Sequence, residues 1–506
     1  MEFDFIIIGA GSAGCVLAHG LSKASVGSIC VLEAGPSDAV PWVKVPFGLV
    51  YTMGSGRDWR YGSTAQNAAA GREVKVNRGR MIGGSSSINS MIWFRGRQDD
   101  FEHWNLPGWG VEEVRDSFEE IEAAIQPARL PDPHDLSEAF GRSLGANGVA
   151  PPTPERESAG VFHTNMRNGR RWSAADAFLR PALRTGRCAV LKGAEVDKIS
   201  FEETHARTVN LVDGRVLRAR RGIVLSAGSI GSPAILMRSG IGPAKHLKGL
   251  DIKVRHDAAG VGANLHDHPT VGLHHAGANS GYGLTARQLP AWIASPFQWL
   301  LTRRGRMTSN LVEAGAFFRA APIGTDGDAR PDVQTHFIPY MRGYKGRLLT
   351  TGSGFFADVG VCRPVSRGHL SLRSSDARVA PEIDLGLLRD PADLAVLVAG
   401  FKRLRRILAA GQGPLSAPEV HPAQSVRSDD EIEDYIRAKC ATAFHPVGTL
   451  AMGLDAEVVG PDLKVKPVQG LWVADASVMP QITSANTNAP SIMIGHRAAE
   501  FIRQSL

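Results

Sequence analysis

The chain has 506 residues, too many for one ordinary hydrophobic core and enough for two domains around a buried cofactor site. Hydrophobic residues make up 43% and charged residues 21%, and the formal charge of +7 comes from Lys and Arg dispersed without a run of like charges, which argues against a nucleic-acid-binding segment. Cys15, Cys30, Cys188, Cys362 and Cys440 lie far apart without metal-ligand spacing and read as reduced structural thiols; with no leader before Phe3 and no apolar run near the ~18 to 20 residues of a membrane span, the expected location is the cytoplasm.

In chain order, Phe5-Ile6-Ile7-Ile8 reads as a strand buried on both faces, running into Gly9-Ala10-Gly11-Ser12-Ala13-Gly14. Gly9 and Gly11 allow a tight turn and close backbone approach to a pyrophosphate, and Gly14 lets the helix over residues 15–23 pack on the strand with its N-terminus toward the phosphates. Residues 29–33 form a second strand ending in Glu33, placed to accept hydrogen bonds from ribose hydroxyls. Together these read as a dinucleotide site.

Residues 77–89 present backbone N–H groups and small hydroxyls in the pattern of a packed cradle, followed by a short helix over 90–94. Pro127, Pro131, Pro133, Pro151, Pro152 and Pro154 make 125–165 a surface crossing between domains. A helix is expected over 169–183 and a strand over 190–196. Ile223-Val224-Leu225-Ser226-Ala227-Gly228 repeats the strand-to-glycine-turn pattern before a helix over 232–237. Residues 276–440 alternate short strands (333–338, 369–372) with a helix over 392–409 and read as substrate covering; a strand over 471–474 and a helix over 491–502 close the chain.

With the glycine turn, the cradle, the run from Gly228 through Pro233 and Arg238 to Gly242, and His445-Pro446-Val447-Gly448-Thr449 in that order, the chain resembles the glucose-methanol-choline (GMC) flavoprotein oxidoreductases. The resemblance implies an α/β architecture: a discontinuous Rossmann-like FAD-binding domain over 1–120, 166–275 and 441–506, and an α+β substrate domain with an antiparallel sheet over 121–165 and 276–440. Carried over, Gly9, Gly11, Ser12, Ala13 and Gly14 would hold the pyrophosphate, Glu33 and Ala34 the ribose, and the Val196 backbone the adenine edge. Arg78, Gly79, Met81, Gly83, Gly84, Ser85, Ser87, Ile88, Asn89, Ser90 and Met91 would line the ribityl chain and ring. Ala227, Gly228, Asp475 and Ala476 would close over the ribityl region, and Asn488, Ala489 and Pro490 would reach the ring. Some members tether FAD through a histidine in the cradle; Ile88 stands there instead, which implies non-covalent FAD.

Alcohol oxidation requires a base beside the flavin, and histidine, with an ordinary pKa of ~6.5, suits that role. The resemblance singles out His445 among 16 histidines. It sets Asn488 as the amide partner, with Asn486 two residues earlier as the other amide within reach. The final helix would aim its N-terminal dipole at the flavin. Glu313 reads as a salt-bridged structural carboxylate, or as a magnet for a cationic substrate. His266 and His268 around Asp267 resemble a metal site only superficially, and no metal is expected. His336 and Tyr340 are possible pocket residues. The implied activity is FAD-dependent oxidation of a neutral aliphatic, benzylic or heteroaromatic primary alcohol, with oxygen or another electron acceptor. The alternatives are a choline-type dehydrogenase, a hydroxynitrile lyase or photodecarboxylase on the same fold, and a flavin-binding protein without turnover.

Overall fold

The computed structural model describes residues 1–144, 150–277, 280–320, 330–341, 351–411, 413–422, 425–454 and 458–506. The chain opens with β1 (Glu2–Ile8), α1 (Ser12–Lys23) and β2 (Ile29–Glu33), then α2 (Asp135–Gly141) and β3 (Ser158–Val161). Next come β4 (Cys188–Lys192), β5 (Val196–Glu202), β6 (His205–Leu211), β7 (Val216–Leu225) and α3 (Gly228–Arg238). β8 (Pro269–Ala276), α4 (Leu289–Thr302), β9 (Ala314–Phe318), β10 (Val333–Ile338), β11 (Gly354–Val361), α5 (Pro391–Ala409) and β12 (Glu419–His421) follow, before β13 (Leu471–Val473) and α7, which is preceded by α6 (Asp429–Lys439) and spans Asn488–Gln504.

The first sheet runs β4-β2-β1-β7-β6-β5, with β13 also on β7. Its left side and β13 are parallel, while β7, β6 and β5 are antiparallel. Phe5, Ile6 and Ile7 of β1 are fully buried, each contributing about 1.5 to 3 kcal/mol through burial. That is why the segment reads as a continuous apolar run rather than an alternating one. The second sheet is antiparallel, in the order β12-β8-β11-β10-β9-β3, with α5 packed against it. The fold is thus α/β in its nucleotide part and antiparallel α+β in the other. The expected boundary at residue 275 cuts through β8, which belongs wholly to the second sheet.

Four local expectations are corrected. Residues 90–94 are extended, not helical: Met91 has φ 60°, Asn165 N–H donates to Met91 O (2.9 Å), and Trp93 N–H donates to His163 O (3.0 Å). Burial of Ile92 and Phe94 in a separate aromatic cluster selects pairing with this neighbour over a helix. The 169–183 helix is replaced by a short strand, Arg170–Arg171, a widened helical turn over Ala175–Leu179 and a helix over Arg180–Arg184. The proline-rich 125–165 stretch is no mere surface crossing, since it supplies α2, with Leu136 and Phe140 buried, and edge strand β3 of the second sheet. The expected 190–196 strand is broken by Gly193 at φ 60° into β4 and β5. All five cysteines are buried and free. Among the described residues, no helix is long and apolar enough to cross a membrane.

Candidate active site

The glycine turn is shaped by close backbone packing. A Cβ on Gly14 would lie 2.0 Å from the Gly9 carbonyl oxygen, and one on Gly9, at φ +108°, would lie 2.3 Å from Ser226 O. Gly11 differs: a Cβ there would meet only Ser226 O at 3.9 Å, so its missing side chain leaves open space rather than room for the protein. α7 packs on α1 where a Cβ on Gly495 would strike Ala13. The two helix N-termini thereby converge, and Ser12 Oγ donates to Asn488 Oδ1 at 2.7 Å.

These elements border two adjoining cavities. An outer cleft of ≈ 340 Å³ is lined by Gly9, Gly11, Ser12, Ala13, Glu33, Ala34, Gly79, Gly84, Val196, Ala227, Gly228 and Asp475. An inner chamber of ≈ 220 Å³ is lined by Ile88, Asn89, Ser90, Met91, His445, Asn486 and Asn488, and Ser12, Arg78, Ser85 and Ala476 border both. Gly14, Met81, Gly83, Ser87, Ala489 and Pro490 line neither cavity. They support the walls instead: Met81 packs with Val43 and Ile88, Gly83 N–H donates to Ala10 O at 2.7 Å, and Ser87 Oγ donates to Ile82 O at 2.8 Å.

Glu33 closes the outer cleft. It accepts from Gly35 N–H (2.8 Å) and Ala10 N–H (3.2 Å), and burial pushes its carboxyl up to about 7. Two features of this cleft had no signal in the sequence motifs. Trp59 and Tyr61 stack at 5.6 Å to form a flat aromatic wall, and Arg238 donates to Val196 O (3.3 Å), engaging that carbonyl with protein. Asp475 spends its oxygens on Gly228 N–H (2.9 Å), Ser232 Oγ (2.6 Å) and Ser477 N–H (2.8 Å), fixing the start of α3.

The cradle is held from behind by Arg171, a fully buried cation. Its guanidinium donates to Val43 O (3.1 Å), Ser86 O (3.1 Å) and Asn89 Oδ1 (2.9 Å), and burial lowers its pKa to about 9. Asn89 Oδ1 also accepts from Met91 N–H at 3.0 Å.

The chain around residue 445 is held with equal care. Ala443 N–H donates to His268 O (3.0 Å), and Val447 N–H donates to His266 O (3.0 Å), so the His266-Asp267-His268 segment runs antiparallel to it. Asp267 accepts from His445 N–H (2.9 Å) and from the Thr442 hydroxyl, and burial raises its pKa to about 6. Phe444 is in the left-handed region at φ 64°, fixed by its N–H to Thr442 Oγ1 (2.8 Å) and by Arg78, which donates to its carbonyl. His266 is engaged as well, with Nδ1 against Asn264 O (2.6 Å) and Nε2 accepting from Ile482 N–H (2.9 Å). The His-Asp-His segment is a clamp on the 443–447 backbone.

Hydrogen-bond partners assign the tautomers in the inner chamber. His268 Nε2 faces Thr483 O at 3.1 Å, so it carries the proton and leaves Nδ1 as an acceptor. That Nδ1 lies 3.0 Å from His445 Nδ1, which must therefore donate. His445 Nε2 is left with its lone pair, 3.2 Å from Asn486 Nδ2. Asn486 Oδ1 in turn accepts from Gln334 Nε2 at 3.0 Å. Burial, then the neighbouring His268, holds the His445 pKa well below the ordinary histidine value, and burial lowers that of His268 to about 4.

The expected pairing of His445 with Asn488 is corrected: Asn486 faces the imidazole. Asn488 begins α7 and turns to Ser12, with its Nδ2 buried and without a hydrogen-bond partner among the described residues. Glu313 forms no salt bridge among the described residues. It accepts from Ser309 Oγ (2.6 Å), Ser137 Oγ (2.8 Å) and His134 N–H (2.7 Å), away from the chamber. His336 lines the chamber with Nδ1 3.2 Å from Asp358, whereas Tyr340 sits behind its wall against Phe47 at 5.6 Å. Leu49, Met53, Leu311, Val312 and Ile338 form an apolar stretch of the wall, beside the polar Thr270 and Asp358.

The site fits a flavin dinucleotide. Gly11 leaves open space at a helix N-terminus, and the unpartnered Asn488 amide marks where a carbonyl acceptor belongs. Comparisons agree. The GMC oxidoreductase family models match residues 3–270 and 364–495. An oxygen-dependent choline dehydrogenase of Sinorhizobium medicae is 36% identical over 99% of this chain and 96% of its own length. An alcohol dehydrogenase [acceptor] of Pseudomonas putida is 34% identical over 99% and 95%. The crystal structure of pyridoxine 4-oxidase from Mesorbium loti superposes with a TM-score of 0.86 at 27% identity, covering 98% of each chain. With this fold and these matches, the chain belongs to the GMC oxidoreductases and is an FAD-dependent enzyme acting on CH–OH groups.

Proposed function

We propose that this enzyme oxidises a neutral aliphatic, benzylic or heteroaromatic primary alcohol to the aldehyde, with FAD held non-covalently and His445 as the base. The observation that carries the reading is His445 Nε2, an acceptor met by the Asn486 amide at the edge of a chamber with an apolar stretch of wall, where a substrate hydroxyl can take the amide's place. When bound, FAD supplies a two-electron acceptor for the hydrogen on the carbinol carbon.

The protein's part is binding, orientation and proton transfer. The N-termini of α1 and α7 favour negative charge on the cofactor. Glu33 would accept from the ribose, the Asn488 amide would donate to the ring, and Ile88 offers no nucleophile for a covalent link. His445 Nε2 takes the hydroxyl proton, while Asn486 Nδ2 donates to the oxygen as it gains alkoxide character. The pre-set His445–His268 bond fixes which nitrogen is the acceptor. Asp267 and the strained Phe444 backbone hold the imidazole in place, so little reorganisation accompanies the step.

A choline-type substrate is the second reading, favoured by the choline dehydrogenase relative and by Asp358 in the chamber wall. That carboxylate is already engaged by the backbone N–H and ring of His336, and the wall offers little else for a quaternary cation. The test is anaerobic bleaching of flavin absorbance by a panel of neutral alcohols and choline, followed by reoxidation with oxygen or a quinone. The proposal expects neutral alcohols to bleach the flavin fastest. Faster bleaching by choline favours the second reading, and no bleaching by any alcohol returns the site to lyase, photochemical or binding roles.

A further inference from the structure

α4 breaks the usual pattern of a surface helix. Its 14 residues carry no charged side chain. Leu289 (55% exposed), Ile293 (62%), Phe297 (66%), Leu300 (59%) and Leu301 (86%) recur at helical spacing on its outer face. The inner face is anchored by Trp299, whose Nε1 donates to Gly169 O at 2.7 Å, and by Trp292, which packs on Phe47 at 5.2 Å. Phe47 belongs to the apolar cluster whose members Leu49, Leu311 and Ile338 line the inner chamber. The helix therefore lies over the apolar wall of the substrate site.

Cations border this face. Arg303 stacks 4.2 Å over Trp299, Arg304 is 71% exposed just beyond the helix, Arg170 is exposed in the turn that receives Trp299, and Arg287 is exposed before the helix begins. The adjacent carboxylate, Asp132, is half-buried, accepts from Gly305 N–H at 2.8 Å and lies 3.6 Å from the Arg304 guanidinium, a surface pair that leaves the Arg304 side chain mostly in solvent. A second copy docked on this face would bring arginines against arginines, with no acid on the helix to pair them. An anionic lipid surface satisfies both halves of the pattern, taking the apolar side chains among its acyl chains and the guanidinium groups at its phosphates.

We propose that α4 docks this protein on the surface of an anionic phospholipid bilayer, with the apolar chamber wall turned toward the lipid. The docking goes beyond the alcohol reading and does not depend on it, since its readout is vesicle binding rather than turnover. The experiment sediments FAD-loaded protein with vesicles of phosphatidylglycerol and phosphatidylethanolamine, or of phosphatidylcholine alone, and follows flavin absorbance. Expected are binding to the anionic vesicles, weakening as salt rises, and at least a tenfold loss of partitioning in a Phe297→Asp/Leu301→Asp variant that retains its FAD. An Arg304→Glu variant, which leaves the apolar face intact, should bind more weakly and with a shallower salt dependence. The proposal is overturned if the wild type does not bind anionic vesicles, or if the Asp variant binds as well as wild type. It is also overturned if the Asp substitutions convert a sedimenting dimer to monomer without affecting lipid, which would make the face a self-interface.

Discussion

Asn486 and Asn488 are separated by one residue yet have different surroundings, so replacing each with alanine separates orientation at the base from support of the cofactor. Asn486→Ala deletes the donor 3.2 Å from His445 Nε2 and the acceptor of Gln334 Nε2. A neutral hydrogen bond contributes about 0.5 to 1.5 kcal/mol net. At about 1.4 kcal/mol per tenfold, losing the one that strengthens on the alkoxide slows flavin reduction by about 2- to 12-fold. The orphaned Gln334 amide costs about 1 to 3 kcal/mol of stability, visible in melting rather than in the reduction rate. Asn488→Ala removes the acceptor for Ser12 Oγ–H and the unpartnered Nδ2. It should weaken FAD binding while leaving the reduction of bound flavin less affected. The assay is stopped-flow reduction under argon alongside FAD titration of the apoprotein. A slower reduction in Asn488→Ala than in Asn486→Ala, with FAD affinity unchanged, would refute the assignment.

Precipitating the protein with acid should release all of its FAD into the supernatant, because Ile88 stands where a histidine tether would be; flavin retained in the pellet contradicts this. Gly11→Val should fold but fail to load FAD, because a Cβ there meets only Ser226 O at 3.9 Å, whereas Gly14→Ala should fail to fold, because its Cβ would sit 2.0 Å from Gly9 O. Circular dichroism and flavin content score both variants, and an FAD-replete Gly11→Val sinks the pyrophosphate reading. His268→Gln removes the neighbouring ionisable imidazole that lowers the His445 pKa while leaving burial, the larger cause, in place. The ionisation governing flavin reduction should therefore move upward toward the ordinary histidine value; an unmoved profile argues that the imidazoles are not coupled.

Features carried by short-range chemistry were legible in the sequence. β1, the glycine turn and Glu33 form one local unit, and the fully buried apolar run and turn glycines have sharp sequence signatures. β10 and α5 matched almost to the residue, because period-2 and helical apolar patterns report the face each element buries. What failed depends on partners distant in sequence. Residues 90–94 have helix-compatible composition, but pairing with 163–165 makes them extended. Asn486 and Asn488 are the same residue type in one short motif, and only the start of α7 decides which faces His445. His268 carried no sign of a role beside the base, since its spacing was only superficially that of a metal site and its role arises from pairing of its segment with 443–447. Arg171 gave no signal, since a buried arginine satisfied by two carbonyls and an amide looks like any surface cation in sequence.

The central claim is that neutral His445 removes the hydroxyl proton, and the most direct measurement is the anaerobic rate of flavin reduction by saturating alcohol across pH. Because burial depresses the His445 pKa, the base is lost only when pH falls below the ordinary histidine range. The wild-type rate should therefore rise with pH through one ionisation lying below ~6.5 and be level at neutral pH. His445→Ala should keep its FAD, reduce it ~100-fold or more slowly, and lose that ionisation. An alanine variant that reduces its flavin at the wild-type rate, with the same pH profile, would contradict the account and place the base elsewhere.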